Sequence, residues 1–218
     1  MENTATNQPK VTQLTAINTA KILTSICLIA FAVVFGVQDL RQVIYLCLHI
    51  SYCAWWLLEQ WFYPTRRQQL FNEPIGLGGF VFSLLFVGFL YSLPGYLAFT
   101  NPLPLSLTAA AIALPLYIFG TLINTSADVQ KLTAKQHSAG LVTDGIWRFS
   151  RHINYFGDLL RYLSFAVVAG SIWAYIVPMA IALLYLQRIS DKERAMVEKY
   201  ADYTNYQQSS RRLIPFIW

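Results

Sequence analysis

The chain has 218 residues, of which 56% are hydrophobic and only 12% are charged, and its formal net charge is +5. Soluble domains carry about 25% charged residues, so this composition excludes an ordinary soluble domain and predicts one polytopic membrane domain. Cys27, Cys47 and Cys53 all lie in apolar runs and lack the spacing of metal ligands. We therefore expect no metal site.

The chain order predicts a polar tail followed by membrane-spanning helices. Residues 1–16 are polar and predict a disordered N-terminal tail, and residues 17–218 predict a single membrane domain. Crossing a bilayer takes about 20 apolar residues. The candidate spans lie near 18–37, 43–62, 77–98, 105–124, 155–170 and 172–188. The last two are short and joined by a tight turn, which predicts a helical hairpin. We expect an all-α polytopic bundle of about six transmembrane helices.

Basic residues collect on one side of this arrangement. With the N-terminus in the cytoplasm, nearly all lysines and arginines, Lys21 among them, fall on the cytoplasmic side or at its edge. Arg41 lies outside and Arg161 lies within a span. This asymmetry predicts cytoplasmic N- and C-termini, and it accounts for the net charge without nucleic acid. Segment 125–153 and the tail after Arg188 share this side, so we expect a pocket there.

The second span carries a polar and aromatic stripe. His49, Tyr52, Trp56 and Glu59 line one side of it. Such a stripe is most often packing, but a glutamate and a tyrosine together within a span could supply a proton. We therefore predict Glu59, with Tyr52 or Tyr63 nearby, as a candidate proton donor.

The fourth span leaves the membrane with four polar residues at helical spacing. Steps of four, three and four residues place them on one face: Asn124, Asp128, Lys131 and Lys135. A solvated face with local salt bridges would have this pattern. An anion site, in which the two lysines reach phosphates, would have it too.

The stretch RHINYFGD at 151–158 packs charged and polar residues directly before an apolar run. Read as a helix, it predicts one polar stripe, formed by Arg151, Asn154, Tyr155, Asp158 and Tyr162. Asp158 and Arg161 lie inside the apolar run, where ionisable side chains are costly and indicate a functional site. A structural ion pair between helices is the alternative. We interpret the stretch, His152 included, as a binding site, with Asp158 as a second candidate proton donor.

Several segments of 120–218 resemble the sterol reductase family, which includes sterol carbon-14 reductases, 7-dehydrocholesterol reductase and the lamin B receptor. The run GIWRFSRHINYFGDLL at 145–160 is similar to the C-terminal signature of that family. The segments ADVQKxxxK at 127–135, RISDKERxxxEKY at 188–200 and the terminal RRLIPFIW resemble the segments around it. The end of the chain is also similar to steroid 5-alpha-reductases.

The resemblance implies an integral-membrane reductase that uses NADPH on a carbon–carbon double bond of a sterol, steroid or other apolar lipid. Carried over by position, it implies NADPH-site roles for Lys131, Lys135, Trp147, Arg151, Asn154, Tyr155, Asp158, Arg188 and Tyr206. With the anion-site and stretch residues Asn124, Asp128 and His152, and with Asp191 after Arg188, these form the predicted cofactor site. No G-x-G-x-x-G follows a strand, so the cofactor would be held by groups on helices.

Isoprenylcysteine and phospholipid methyltransferases, which use S-adenosylmethionine, also resemble this region through a related R-H-P-x-Y-x-G motif. Their tails carry adjacent glutamates, where this chain has Asp191-Lys192-Glu193. The Asn154 and Asp158 pair has the reductase form. A non-catalytic membrane scaffold is a third interpretation. We predict the reductase, with the methyltransferase as the alternative.

Overall fold

The computed structural model describes residues 11–64, 66 and 71–218, and this part of the chain is helical with two isolated β-bridges. Its helices are α1 (Gln13–Phe35), α2 (Leu40–Phe62), α3 (Leu77–Thr100), α4 (Leu107–Gln136), α5 (Ile153–Ala169), α6 (Ile176–Lys199) and α7 (Tyr203–Ser209). Short 3₁₀ turns at Gly145–Arg148 and Ile172–Tyr175 precede α5 and α6. The all-α prediction is confirmed over the described residues.

The N-terminal helix begins earlier than the sequence indicated. α1 begins at Gln13, and the hydroxyl of Thr12 accepts a hydrogen bond from the Thr15 amide at 3.2 Å. This contact satisfies one of the free amides of the first helical turn. The predicted tail of residues 1–16 therefore includes the start of a helix, and its first ten residues lie outside the described part.

Among the residues that the structure describes, four helical segments are long and apolar enough to cross a bilayer: α1, α3, α4 and Ile172–Lys199. Their outward side chains are apolar and exposed, as Val33 at 79% and Leu107 at 85% show. Continuous apolar surface of this kind is what lipid covers, and the chain is an integral membrane protein. α2 and α5, which carry buried polar groups, fall outside this set, so the predicted count of six spans is not confirmed.

α4 and α5 pack with their backbones in contact, because each has a glycine at the crossing. A Cβ on Gly120 would lie 2.6 Å from the Gly157 carbonyl oxygen, and one on Gly157 would lie 2.8 Å from the Asn124 amide nitrogen. Small residues permit this approach between membrane helices. As a result, the Asn124 side chain donates to the Asn154 carbonyl at 2.9 Å, and the two predicted polar stretches meet.

At the end of the bundle where α5 finishes, a buried arginine at the start of α2 binds the neighbouring segments. Arg41 donates to the carbonyls of Val168 at 2.6 Å, Leu103 at 3.1 Å and Pro104 at 3.1 Å. These bonds satisfy carbonyls at the C-terminal end of α5 and in the α3–α4 loop. Arg41 therefore has a structural role in holding three segments together.

The apolar core surrounds α5 and includes His49 of α2. The ring of His49 stacks on Phe165, with centroids 4.3 Å apart, and its Nδ1 lies 2.9 Å from the Tyr45 hydroxyl. This histidine is 1% exposed. It packs in the core, whereas Tyr52 and Glu59, further along α2, reach the cavity described next.

Candidate functional site

A cavity of about 940 Å³ lies among α2, α4, α5 and α6. Most of the predicted site residues line it: Tyr52, Glu59, Asn124, Asp128, Lys131, Lys135, Asn154, Tyr155, Asp158, Arg188 and Asp191. Charged and polar side chains therefore gather in these walls, beside aromatic and apolar ones, in a protein whose outer surface is apolar. Such a concentration of ionisable groups around one cavity indicates a ligand site.

One end of the cavity is rich in cations. Lys131, Lys135, Arg188 and Lys192 all line it, with Asp191 beside them. Lys131 Nζ lies 4.8 Å from the Trp147 ring centre, and Lys192 Nζ lies 4.7 Å from that of Tyr155. Cations held against aromatic faces remain available to a second partner. This cationic end suits an anionic ligand, above all one with several phosphates.

Lys135 is oriented at the cationic end by the loop that follows α4. Its Nζ donates to the carbonyls of Ala139, at 3.2 Å, and Gly140, and it lies 3.1 Å from the Tyr200 hydroxyl. The hydrogen bond from Lys135 lowers the pKa of the Tyr200 phenol below its ordinary value. The shift is the one expected where positive charge accumulates.

A charged bridge crosses the cavity wall from α2 to α4. Arg66 Nη1 donates to Glu59 at 2.8 Å, and its Nη2 donates to Asp128. Asn154 Nδ2 also lies 3.4 Å from Asp128 Oδ1. Glu59, predicted as a proton donor, therefore serves in this structure to cross-link two helices beside the cavity.

The inner end of the cavity is built around Asp158, which is 9% exposed. Its two carboxylate oxygens accept hydrogen bonds from the Arg161 guanidinium and from the Tyr185 hydroxyl. The ring of Tyr185 stacks on Tyr155, with centroids 4.3 Å apart. Tyr52 lies close by, because its ring is 4.4 Å from the Arg161 guanidinium carbon. The inner end therefore combines one carboxylate, one guanidinium and phenols that carry transferable protons.

Tyr185 was absent from the predicted site. It lies in the apolar run of α6 and contacts Asp158 only because the α5–α6 hairpin folds back. One signal could have found it: Tyr185 is three residues before Arg188, and residues at that spacing share a helix face.

Four of the predicted cofactor residues do not line the cavity: Trp147, Arg151, His152 and Tyr206. For Arg151, the physical reason is that α5 begins later in the chain than the predicted stripe required. The helix begins only at Ile153, after two turn residues, so Arg151 cannot continue the polar stripe of α5. The prediction of a single stripe from Arg151 to Tyr162 is wrong at its first residue.

These four residues fasten the C-terminal tail instead. Arg151 donates to Glu193 at 2.8 Å and to the carbonyl of Ser210 at 2.7 Å. The Tyr206 hydroxyl donates to the Trp147 carbonyl at 2.5 Å. His152 Nε2 lies 3.4 Å from Glu193, and burial lowers the pKa of this histidine. We refer to Trp147, Arg151, His152 and Tyr206 as the tail anchor. Two of them reach the site indirectly: the Trp147 ring backs Lys131, and the His152 ring stacks on Tyr155, with centroids 5.9 Å apart.

Comparisons with known proteins agree with the resemblance seen in the sequence. The chain matches the model of the family described as "Protein of unknown function (DUF1295)" over residues 11–212, and it belongs to that family. It is 25% identical to a Delta(14)-sterol reductase of Arabidopsis thaliana over 203 residues, which cover 84% of this chain and 55% of that protein.

Two further relatives carry related names. Identity is 29% to a 7-dehydrocholesterol reductase of Danio rerio, over 60% of this chain and 34% of that protein. It is 30% to a Delta(14)-sterol reductase of Schizosaccharomyces pombe, over 62% of this chain and 37% of that protein. The matched segments span about a third to a half of the length of these relatives. The predicted sterol reductase-like character of the chain is confirmed.

Proposed function

We propose that the protein is an integral-membrane reductase that uses NADPH to saturate a carbon–carbon double bond in an apolar lipid. The observation that carries the proposal is one cavity that joins a cationic end, at Lys131, Lys135 and Arg188, to an inner end at Asp158 and Tyr185. Similarity to Delta(14)-sterol and 7-dehydrocholesterol reductases supports the reaction class.

The residues present fit a phosphorylated dinucleotide. Lys131, Lys135 and Arg188 would hold its phosphates, because charge-assisted hydrogen bonds to phosphate are the strongest that these side chains make. Asn124 and Asn154, joined by their 2.9 Å hydrogen bond, lie between the phosphate end and Asp158 along α4 and α5, where Asn154 suits a ribose hydroxyl or an amide. When bound, the cofactor supplies the hydride.

The Asp158–Tyr185 pair is our candidate for the proton that completes the reduction. The Tyr185 hydroxyl donates to Asp158, which fixes the orientation of the phenol. Arg161, bonded to the same carboxylate, stabilises the negative charge that the pair keeps once the proton has left. Tyr52, whose hydroxyl lies 2.5 Å from that of Tyr162, and Tyr155 are the further phenols on the cavity wall.

We also propose that six helices span the bilayer with both termini in the cytoplasm. α2 has 23 residues and α5 has 17, which suffices for a span that is shallow or locally thins the bilayer. The cationic end would then face the cytoplasm, as the distribution of basic residues favours. A lipid substrate would enter the cavity sideways from the bilayer.

The same cations weigh against S-adenosylmethionine. That cofactor carries a sulfonium cation and no phosphate, so Lys131, Lys135, Arg188 and Lys192 would repel it or leave their own charges unpaired.

A ligand titration of the purified protein tests the proposal. NADPH at 100 times its dissociation constant should stabilise the fold by about 2.7 kcal/mol, read as a rise in Tm, whereas S-adenosylmethionine should have no effect. Lys131→Gln and Lys135→Gln should each weaken NADPH binding about tenfold. Lys199→Gln is the matched control, because Lys199 is exposed and does not line the cavity. Stabilisation by S-adenosylmethionine alone would contradict the proposal.

A further inference from the structure

An apolar and aromatic surface lies outside the cavity, where residues 211–218 meet the turn before α5. Phe216 is 77% exposed and Ile217 is 76% exposed. The Phe216 ring meets the Phe149 ring edge to face, with centroids 5.5 Å apart. We refer to five side chains here as the aromatic patch: Phe149, Ile214, Phe216, Ile217 and Trp218. Apolar side chains gathered in this way at a surface indicate contact with a partner or a membrane.

The backbone holds the aromatic patch in one conformation. The amides of Leu213 and Ile214 both donate to the Trp218 carbonyl at 2.7 Å, which closes the segment into a turn. The Ser150 hydroxyl donates to the Leu213 carbonyl at 2.9 Å and ties that turn to the chain before α5. Phe216 lies in this turn with a φ of 66°, a conformation that is costly for a bulky side chain. The surrounding contacts therefore impose an arrangement in which Phe216 stays exposed.

Arginines border the aromatic patch. The Arg148 guanidinium carbon lies 4.6 Å from the centre of the Phe149 ring, and that of Arg212 lies 5.4 Å from the centre of the Trp218 ring. Arg211 adjoins the same surface, since its amide donates to the Phe149 carbonyl at 3.4 Å. Arg148 and Arg211 are exposed, and among the residues that the structure describes neither has a carboxylate partner. Positive charge therefore lies beside exposed apolar side chains, and the chain itself does not compensate it.

The position of α5 relates the aromatic patch to the bilayer. α5 begins at Ile153, shortly after Phe149, and in the proposed topology it enters the bilayer from the cytoplasmic side. The patch would then lie at the height of the lipid headgroups. Aromatic side chains favour this boundary, and the long side chains of arginine reach its phosphates. The cytoplasmic leaflet is also the one that carries negative surface charge.

We propose that the aromatic patch binds an anionic phospholipid, with its rings among the upper acyl carbons and with Arg148 and Arg211 on the headgroup. Guanidinium groups suit this partner, because they bind phosphate oxygens through two parallel hydrogen bonds. A second copy of the chain is a poorer occupant, since two copies meeting through this patch would bring their arginines together. The inference concerns a surface outside the cavity and is independent of the reductase proposal.

Lipid binding to the purified full chain in detergent tests the proposal. Phosphatidylglycerol and phosphatidylcholine with the same acyl chains are added separately, and native mass spectrometry gives the dissociation constant of the most tightly bound lipid. The wild-type protein should bind phosphatidylglycerol at least about tenfold more tightly, or about 1.4 kcal/mol. The double variant Arg148→Gln/Arg211→Gln should lose most of that preference. Its Tm in detergent alone should be unchanged, since both side chains are exposed.

Arg194→Gln/Lys199→Gln is the matched control, because it removes two exposed cations of α6 and so changes the net charge equally. It should keep the preference for phosphatidylglycerol. Phe216→Ser should weaken the binding of both lipids, because the apolar contact is common to them. An unchanged preference in the arginine variant, or an equal loss in the control, would overturn the proposal. So would a dimer that forms as protein concentration rises and is lost in Phe216→Ser. NADPH has no part in these measurements, so refutation of the reductase proposal would leave this inference standing.

Discussion

The residues around the start of α5 serve two regions whose charges are paired in different ways. In the tail anchor, Arg151 donates from Nε to Glu193 and from Nη1 to the carbonyls of Gln207 and Ser210, so its charge is compensated within the chain. At the cationic end of the cavity, several cations gather around open space. Charges that are compensated within the chain therefore stabilise the fold, whereas surplus charges around a cavity indicate a ligand site.

The largest expected effect is on chemistry, at the inner end of the cavity. Tyr185→Phe removes the hydroxyl that donates to Asp158. We expect turnover of the lipid substrate to fall about a thousandfold, or about 4 kcal/mol in the barrier, since the donated proton is lost. NADPH oxidation measures it. Tyr203→Phe, in the tail, is the control and should keep full activity. Normal turnover in Tyr185→Phe would show that the proton comes from elsewhere.

The next effect is on stability, in the tail anchor. Arg151→Met leaves the largely buried Glu193 without its nearest guanidinium and removes the bond to Ser210. Breaking a buried ion pair costs about 3 kcal/mol, so we expect a clear fall in Tm. The NADPH dissociation constant of the folded protein should stay within about twofold, well under 1.4 kcal/mol. A large loss of NADPH affinity with normal Tm would place Arg151 in the cofactor site and abolish the contrast between the regions.

A smaller effect is expected at the crossing of α4 and α5, since both the tail anchor and the cavity adjoin α5. A Cβ introduced by Gly157→Ala would lie 2.7 Å from the Gly120 carbonyl oxygen, so α4 and α5 must move apart. Overpacking of this kind costs about 1–3 kcal/mol. Because the Asn124–Asn154 contact spans the same crossing, NADPH affinity should fall together with Tm. Gly78→Ala, where no atom lies within 4 Å, should change neither. An unchanged NADPH affinity in Gly157→Ala would show that the crossing does not position the site.

The smallest effect is a pH dependence of the tail anchor. Burial lowers the pKa of His152, so the folded protein binds this proton less readily than the unfolded chain. Stability is therefore full above the ordinary histidine pKa of about 6.5 and decreases as pH falls below it. We expect a decrease of a few degrees in Tm between pH 7.5 and pH 5.5. His152→Asn should reduce that decrease in Tm. An identical dependence of Tm on pH in the variant would contradict the role given to His152.

Helical spacing predicted the cavity wall well where the helix itself was long. Asn124, Asp128, Lys131 and Lys135 lie on one face of α4 and all line the cavity, because regular steps along a continuous helix translate directly into a common face. Arg151 failed for the converse reason. Extending the periodicity of α5 backward by two residues ignored the turn that precedes Ile153.

Contacts between distant helices could not be predicted from spacing. Lys21 was expected at the cytoplasmic edge of its span, yet it is buried in rings from α2 and α3. Tyr185 similarly looked like one aromatic residue in an apolar run. The environments of both residues are formed by side chains that only tertiary packing brings together. Periodicity within one helix contains no information on the neighbouring helices.

The most direct test is to follow the transfer of a hydride from NADPH to a lipid. The purified protein is supplied with NADPH carrying deuterium at the transferable position and with a membrane lipid extract, and the lipids are analysed by mass spectrometry. We expect a lipid that has gained one deuterium on carbon and lost one double bond, and far slower formation of it by Tyr185→Phe. Bound NADPH with no deuterium in any lipid, or methylation of a lipid when S-adenosylmethionine is supplied instead, would contradict it.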